Sequence, residues 1–267
     1  KVLSDLIGII CWVYLDDIII FSNTLEEHLQ HLELVFQRLR RNTLKIKIKK
    51  CEFFKEKIDF LGHTISVGCI LPSTSKIEAL LKYNRPMSIK QVQAFLGLAG
   101  YYRKFVRNFS NRAKALLNLI KLNIYTWSID CQMAFDDLRS CLTSETVLVL
   151  PDFSKPFRLE TDACDFGIGA VLAQQVLGDW RPVAFYSKSI SDVEQRYSTS
   201  EKELLAIVRA VEHFKNFLYG MPFTVLTDHQ PLRWLFSIRK PAARLARWII
   251  RLSSFDFNIE YKKGCLN

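Results

Sequence analysis

The order of strand and helix patterns after Pro151 constrains the fold of this 267-residue chain more than any other feature. Three short strand-like stretches are followed by a helical pattern, and then by one more strand and one more helix. Because the two kinds of element mix in this way, we expect a single sheet covered by helices, in an α/β or α+β fold. The predicted strands are 157–162, 167–173, 182–187 and 223–227, and the predicted helices are 200–218 and 242–252.

Hairpins and capped helices are predicted in the first half of the chain. Residues 7–21 read as two apolar strands joined at a tight turn. Capping-box spacings at Thr24–Glu27 and Ser88–Gln91 predict two helix starts, and Asn42 is a plausible end for the first helix. Lys alternates with Ile over residues 45–50, which predicts a half-buried strand with one basic face.

The first candidate site is the pair of acids at the predicted turn, Asp16 and Asp17. A carboxylate between apolar strands is costly unless the turn is wet or a cation neutralises it, so the two acids could share a metal ion. The plainer alternative is that both are simply good turn residues. The pair alone does not decide between these interpretations.

The second candidate site combines three acids that are distant in sequence. Asp162 ends the first strand of the later part, Asp228 ends its fourth strand, and Glu203 lies in the helix between them. If the strand ends are neighbours and the helix covers them, the three carboxylates meet, and such a cluster is tolerable only if divalent cations fill it. Two such ions would serve phosphodiester cleavage.

A neighbouring acid, Glu201, leaves the assignment of the helical carboxylate open. Ser198 to Glu201 and Ser200 to Glu203 both match the capping-box spacing, so either glutamate could be only a helix cap. The two acids fall on opposite flanks of the apolar stripe of the helix, and helical phase does not separate them.

A formal net charge of +10 favours an anionic partner. One predicted helix face is basic without acids, which favours phosphate binding over a solvated face. A second basic cluster is interleaved with aromatic residues that could equally be core. The two groups are Lys240, Arg244, Arg247 and Arg251, and Tyr101, Arg103, Lys104 and Arg107.

The longest apolar stretch, residues 6–15, is too short to cross a bilayer, so we expect no membrane association. The seven cysteines are scattered and are never spaced as paired metal ligands, which fits reduced thiols and a cytosolic, or else nuclear, location.

Six motifs together resemble the polyprotein of gypsy-class long-terminal-repeat retrotransposons, in which ribonuclease H directly follows reverse transcriptase. The resemblance covers nearly the whole chain. It implies part of a polymerase palm and thumb, followed by a ribonuclease H-like mixed five-stranded sheet flanked by helices. The motifs are Tyr14-Leu15-Asp16-Asp17, Phe60-Leu61-Gly62-His63, Phe95 to Arg103, Thr161-Asp162-Ala163, Glu203-Leu204-Leu205-Ala206 and Thr227-Asp228-His229.

The same resemblance implies a domain order and site roles. The palm would cover residues 1–72, the thumb-like helices 73–122, a connection 123–152 and the ribonuclease H-like domain 153–267. Asp16 and Asp17 would be polymerase metal ligands, residues 60–63 the primer grip, and Asp162, Glu203 and Asp228 would hold two Mg²⁺ or Mn²⁺ ions. The implied partners are an RNA/DNA hybrid, a primer-template and, for the full-length polymerase, dNTPs.

Two departures from the family pattern limit what we expect of this chain. The family's polymerase needs a further Asp on an earlier palm strand and also the fingers, and nothing before Lys1 supplies them in this sequence, whose start we interpret as a cut. Its nuclease has a fourth acid beyond a segment that resembles Gly264 to Asn267. We therefore expect no polymerase activity from this chain alone and weak or absent hydrolysis. The alternative is a catalytically inactive nucleic-acid-binding remnant of a decayed or domesticated element.

Overall fold

The computed structural model describes residues 2–144, 147–232 and 242–262. A boundary between Lys55 and Glu56 divides them into two compact units, which are described separately. None of the described helices has the length and apolar composition needed to cross a membrane.

The first unit contains an antiparallel hairpin and one long helix. Strands β1 (Cys11–Tyr14) and β2 (Asp17–Ile20) pair in register, so the predicted turn is present. Helix α1 (Leu25–Arg41) begins at Thr24, whose Oγ1 accepts from the Glu27 N–H, and ends at Asn42 as expected. A small core of apolar side chains joins these elements: Leu3, Leu6, Ile10, Cys11, Val35 and Leu39.

The basic strand predicted at residues 45–50 is wrong. Residues 44–47 have no regular structure, and Ile48–Lys50 forms one turn of 3₁₀ helix. Ile46 and Ile48 are 41% and 76% exposed, so the alternation of Lys with Ile separates no buried face from a wet one. Without burial on one face, period-two spacing alone does not stabilise a strand.

The second unit begins with a meander and a group of helices. Strands β3, β4 and β5 form consecutive antiparallel pairs, and β6 adds to the far edge of β5. The helices pack around a core centred on buried Phe95 and Phe135, whose ring centroids are 4.6 Å apart. These elements are β3 (Ile58–Phe60), β4 (His63–Ser66), β5 (Cys69–Pro72), α2 (Thr74–Leu81), α3 (Ile89–Tyr101), α4 (Phe109–Arg112), α5 (Lys114–Leu122), α6 (Ile129–Thr143) and β6 (Leu148–Val149).

A five-stranded sheet follows, in the order β11-β10-β7-β8-β9. Strand β10 is parallel to both β7 and β11, while β8 is antiparallel to β7 and β9, so the sheet is mixed as expected. Pro182 lies inside β9, which it can do because β9 is an edge strand and a bulge interrupts the register there. The elements are β7 (Phe157–Ala163), β8 (Gly167–Val176), β9 (Asp179–Ser189), α7 (Thr199–His213), α8 (Lys215–Leu218), β10 (Phe223–Thr227), α9 (Ala243–Leu252) and β11 (Phe257–Tyr261).

Helix α7 packs on this sheet with most of its length buried. Its apolar stripe continues into α8 after a break at Phe214, so the single helix predicted over 200–218 is two helices. Because α7 follows β9 and precedes β10, the chain crosses over the sheet there, and the start of α7 lies near the ends of β7 and β10.

Candidate active site

Three acidic side chains meet at one edge of the five-stranded sheet. Asp162 is near the end of β7, and Asp228 comes directly after β10, the parallel neighbour of β7. Glu203 projects from the first turns of α7. One carboxylate oxygen from each acid lies within 4.8 Å of the others, the arrangement in which a divalent cation can take several oxygen ligands.

The two competing glutamates of α7 have different surroundings. Ser198 forms the capping box: its Oγ accepts from the Glu201 N–H, and the Glu201 carboxylate accepts from the Ser198 N–H at 3.0 Å. Glu201 also forms an ion pair with Arg244 at 2.7 Å. Glu203 takes no part in this cap and faces the other two acids, so the structure separates the two residues where helical phase did not.

Burial and like charge dominate the electrostatics of this acidic cluster. Glu203 is only 4% exposed, and burial together with Asp228 and Asp162 raises the pKa of its carboxyl to about 8. Burial and Asp228 likewise raise the pKa of Asp162. The Oε2 of Glu203 is buried and has no hydrogen-bond partner within the described residues. A cation would satisfy that oxygen and the excess negative charge together.

Polar contacts fix the loops that carry the acids. His229 Nε2 and Ser200 Oγ are 2.7 Å apart, which ties the residue after Asp228 to the first turn of α7. Lys202 donates to Asp165 at 2.7 Å and joins α7 to the turn after Asp162. In the sequence, the position of His229 next to Asp228 is the one feature that could have indicated these supporting contacts. Nothing in the sequence indicated the contact between Lys202 and Asp165.

Asp16 and Asp17 lie at the exposed tip of the β1–β2 hairpin. The turn places Leu15 in the left-handed region at φ 52°, and Asp17 is the first residue of β2. Within the described residues, no third Asp, Glu, His or Cys joins the two acids as a ligand group. The first unit therefore offers two exposed carboxylates at this point.

The motif at residues 60–63 is a two-residue hairpin held by aromatic side chains. Leu61 and Gly62 both have positive φ, at 49° and 72°. The hydroxyl of Tyr101 donates to the Leu61 carbonyl and that of Tyr102 to the Gly62 carbonyl, each at 2.6 Å. A side chain at Gly62 would press on the ring of Tyr101, so the close approach and the backbone both favour glycine.

The aromatic and basic cluster after α3 divides between core and surface. Tyr102 and Phe105 are buried, as the core alternative allowed, whereas Tyr101 and Arg107 are exposed. Burial lowers the pKa of Lys104. Arg103 donates to the Ser187 carbonyl on β9 and lies over the ring of Phe109.

The basic face of α9 is partly neutralised by α7. Arg244 pairs with Glu201 and stacks on Tyr197, with 3.9 Å from its guanidinium carbon to the ring centroid. Arg251 pairs with Glu212, while Arg247 is exposed and donates to the Ala243 carbonyl of its own helix. Lys240, predicted as part of this face, lies outside the described residues.

Family comparisons agree with this geometry. The model described as an RNase H-like domain found in reverse transcriptase matches residues 152–255. The model described as reverse transcriptase (RNA-dependent DNA polymerase) matches residues 1–65. The chain carries a reverse transcriptase segment and an RNase H-like domain. The resemblance inferred from the six motifs is therefore confirmed.

Curated relatives of this reverse transcriptase and RNase H-like chain are transposon polyproteins. The Pol polyprotein from transposon 297 of Drosophila melanogaster is 44% identical over 266 residues, which cover 99% of this chain and 25% of the relative. That from transposon gypsy of the same species is 37% identical, covering 98% and 26%. The Tf2-3 polyprotein of Schizosaccharomyces pombe is 37% identical, covering 95% and 20%. The chain thus spans about a quarter of the length of the curated relatives it matches.

Solved structures share the fold of both parts. A foamy viral protease-reverse transcriptase in complex with RNA/DNA hybrid has a TM-score of 0.83 and 24% identity, covering 98% of this chain and 36% of its own. The dRH form of that protein, in complex with double-stranded DNA, has a TM-score of 0.86 and 24% identity, covering 98% and 47%. At this identity the likeness establishes the fold alone.

Proposed function

We propose that the RNase H-like domain hydrolyses the RNA strand of RNA/DNA hybrids with two divalent cations, Mg²⁺ or in its place Mn²⁺, held by Asp162, Glu203 and Asp228. The observation that carries this proposal is the approach of the three carboxylates to within 4.8 Å of one another. Hard cations prefer such oxygen ligands, and two ions about 4 Å apart suit phosphodiester cleavage.

The donor set fits this group of ions. The buried, unpartnered Oε2 of Glu203 and the raised pKa of its carboxyl both indicate that the described residues do not stabilise a negative charge at this position. When bound, the ions would stabilise charge on the attacking and leaving oxygens of the phosphodiester. Glu203 has to release its proton to act as a ligand, so metal affinity and cleavage should increase as the pH rises toward 8.

The choice of an RNA/DNA hybrid as substrate rests on chemistry and on fold. A hybrid carries 2′-hydroxyls on one strand only, which allows a nuclease to select the RNA strand. The foamy viral protein with the same fold was solved in complex with such a hybrid. Exposed Arg107 and Arg247 are cations of this chain that could contact phosphates.

A cleavage assay on the full chain tests the proposal. We expect Mg²⁺-dependent cutting of the RNA strand of a labelled hybrid, with the DNA strand intact. Asp162→Asn should reduce the rate at least about 100-fold, since removing even a residue that only supports a metal ligand typically costs 10- to 100-fold. The matched control is Asp179→Asn, which removes an exposed acid at the end of β9 remote from the cluster, where it pairs with Arg181.

Two outcomes would reject this function. If Asp162→Asn cleaved at the wild-type rate, the site would lie elsewhere. If the wild-type chain bound the hybrid but cut nothing with Mg²⁺ or Mn²⁺, the inactive nucleic-acid-binding remnant would replace the nuclease. Binding itself should weaken with salt at a slope of roughly −4 to −5 if about six phosphates are neutralised. Affinity indifferent to salt would count against the basic residues.

For the parent polyprotein we propose RNA-directed DNA polymerase activity on a primer-template with dNTPs. Asp16 and Asp17 would then be metal ligands, and residues 60–63 would contact the primer. The exposed position of both acids and the reverse transcriptase match over residues 1–65 support these roles. An intracellular site of action, cytosolic or nuclear, remains a proposal, supported by the free thiols of all six described cysteines.

A further inference from the structure

Residues 103–112, which link α3 to α5, lie across the strand row that contains Asp162. Asp162 pairs with Gly169 of β8, and Gly169 pairs with Ser187 of β9. This row runs from the acidic cluster to the sheet edge, and we call residues 103–112 the crossing segment.

Hydrogen bonds at its two ends hold the crossing segment on the row. Arg103 donates to the Ser187 carbonyl, and the Ser110 N–H donates to the Ser187 Oγ at 2.9 Å. Arg112 donates to the Arg107 carbonyl at 2.9 Å and binds both carboxylate oxygens of Asp137. The backbone at Arg107 is therefore fixed, although its side chain is exposed.

The absence of a side chain at Gly169 lets the crossing segment approach the sheet. A Cβ built on Gly169 would overlap the Oδ1 of Asn108, so that oxygen occupies the space beside the strand. Asn108 has a left-handed backbone at φ 54°, a conformation that asparagine tolerates better than most residues. This contact seats the neighbouring Arg107 next to the acids.

Arg107 and Asp162 line the same open cleft at the surface of the sheet. Glu160, Thr161 and Asn108 contribute to its walls. The Arg107 guanidinium forms no hydrogen bond or ion pair with any residue in the described part of the chain. The backbone carbonyl of Arg107 accepts a hydrogen bond from Arg112. A guanidinium presents a planar fork of donors that matches the oxygens of a phosphate.

We propose that Arg107 binds a phosphate of the strand that enters the site of Asp162, Glu203 and Asp228, so that the crossing segment completes the nuclease site. This inference rests on the proposed function. Three carboxylates repel a phosphodiester, and a fixed cation beside them offsets part of that repulsion. Arg107 would thus contact substrate directly and would bind no metal.

The test compares Arg107→Gln and Arg107→Lys with Arg181→Gln in the full chain. Arg181 is an exposed arginine on β9. In the sheet it lies beside Gln174 of β8, which in turn lies beside Phe157 at the far end of β7. Along the strand direction this row is five positions from Asp162, or roughly 17 Å. All three variants are measured for binding to a hybrid in EDTA at several salt concentrations, and for cleavage with Mg²⁺.

Arg107→Gln should weaken binding about tenfold, the effect of losing one hydrogen-bonded charge contact. It should reduce the magnitude of the salt slope by roughly 0.7 to 0.9. The kcat/KM for cleavage should fall by a similar factor. Arg107→Lys should keep the slope and recover part of the affinity, because it retains the charge but loses the fork. Arg181→Gln should match the wild type in each measurement.

The proposal would be overturned if Arg107→Gln behaved like Arg181→Gln, or if it altered binding with cleavage unchanged, since the phosphate would then lie outside the site. Failure of the proposed nuclease function can be told apart from failure of the Arg107 proposal, because in the former case the wild-type chain itself does not cut. In that case the double variant Asp162→Asn with Arg107→Gln still decides. If both side chains act on one phosphate, Arg107 by attraction and Asp162 by repulsion, their effects on binding in EDTA should be non-additive, and additive effects would refute the proposal.

Discussion

Replacing Glu203 by glutamine should stabilise the metal-free protein while it abolishes cleavage. Glutamine keeps the size and polarity of the side chain but removes the charge. The ordinary pKa of 4.5 rises to about 8 in the folded chain, so folding at neutral pH forces this carboxyl to take up a proton. Below pH 4.5 the carboxyl is protonated in both states, and no such cost exists. As the pH rises from 4.5 to 8, stability is lost.

The size of the effect follows from the two pKa values. In the unfolded chain, pH 7 is about 2.5 units above the pKa of this carboxyl, whereas in the folded chain the carboxyl is still mostly protonated at pH 7. At about 1.36 kcal/mol per unit, the cost to the free energy of unfolding is about 3 kcal/mol at pH 7. It is below about 1 kcal/mol at pH 5. For a unit of this size, 3 kcal/mol corresponds to a Tm increase of roughly 6 to 12 °C.

Thermal unfolding in EDTA between pH 5 and pH 8 measures this difference. Glu203→Gln should melt well above the wild type at pH 7, and the gap should close at pH 5. The control is Glu212→Gln in the same helix, which removes an acid paired with Arg251 and should lower Tm slightly. Mg²⁺ should raise the Tm of the wild type and of Glu212→Gln, but not that of Glu203→Gln. A gap that does not grow with pH would refute the reasoning.

Two further substitutions test how the site is supported. Ser198→Ala removes the side-chain half of the capping box and should cost about 1 kcal/mol of unfolding free energy by denaturant titration, with cleavage retained. Gly169→Ala should lower Tm by the equivalent of about 1 kcal/mol, because the new methyl group overlaps Asn108. Adding Asn108→Gly should restore part of that loss, and simple additivity of the two effects would contradict the contact.

Local patterns predicted much of the architecture. The strands and helices of the later part were found because alternation and helical spacing coincide with real burial, as along β7 and α7. The N-caps at Thr24 and Ser88 were also predicted, since capping depends on residues only three positions apart. The final strand β11 alternates in burial too, but no strand was predicted there.

Other features depend on contacts that no local pattern records. The basic strand at residues 45–50 was predicted from alternation alone and is wrong, because neither face is covered. Capping-box spacing and helical phase left Glu201 and Glu203 undecided; the family resemblance implied Glu203, and the structure shows that Ser198 caps α7 together with Glu201. The approach of Asn108 to Gly169 joins residues 61 positions apart, and an isolated glycine in a strand indicates only that something approaches closely.

The acidic cluster shows why the sequence could suggest Asp162, Glu203 and Asp228 as candidates but could not show that their side chains lie close together. Asp162 and Asp228 are both strand ends, yet strand ends meet only if the strands are neighbours and run in the same direction. Here β10 pairs in parallel with β7, and α7 makes the crossover that allows it. Had β10 paired instead with β9 at the other edge, two strands would separate the same acids. The chemistry of the site therefore depends on one long-range strand pairing.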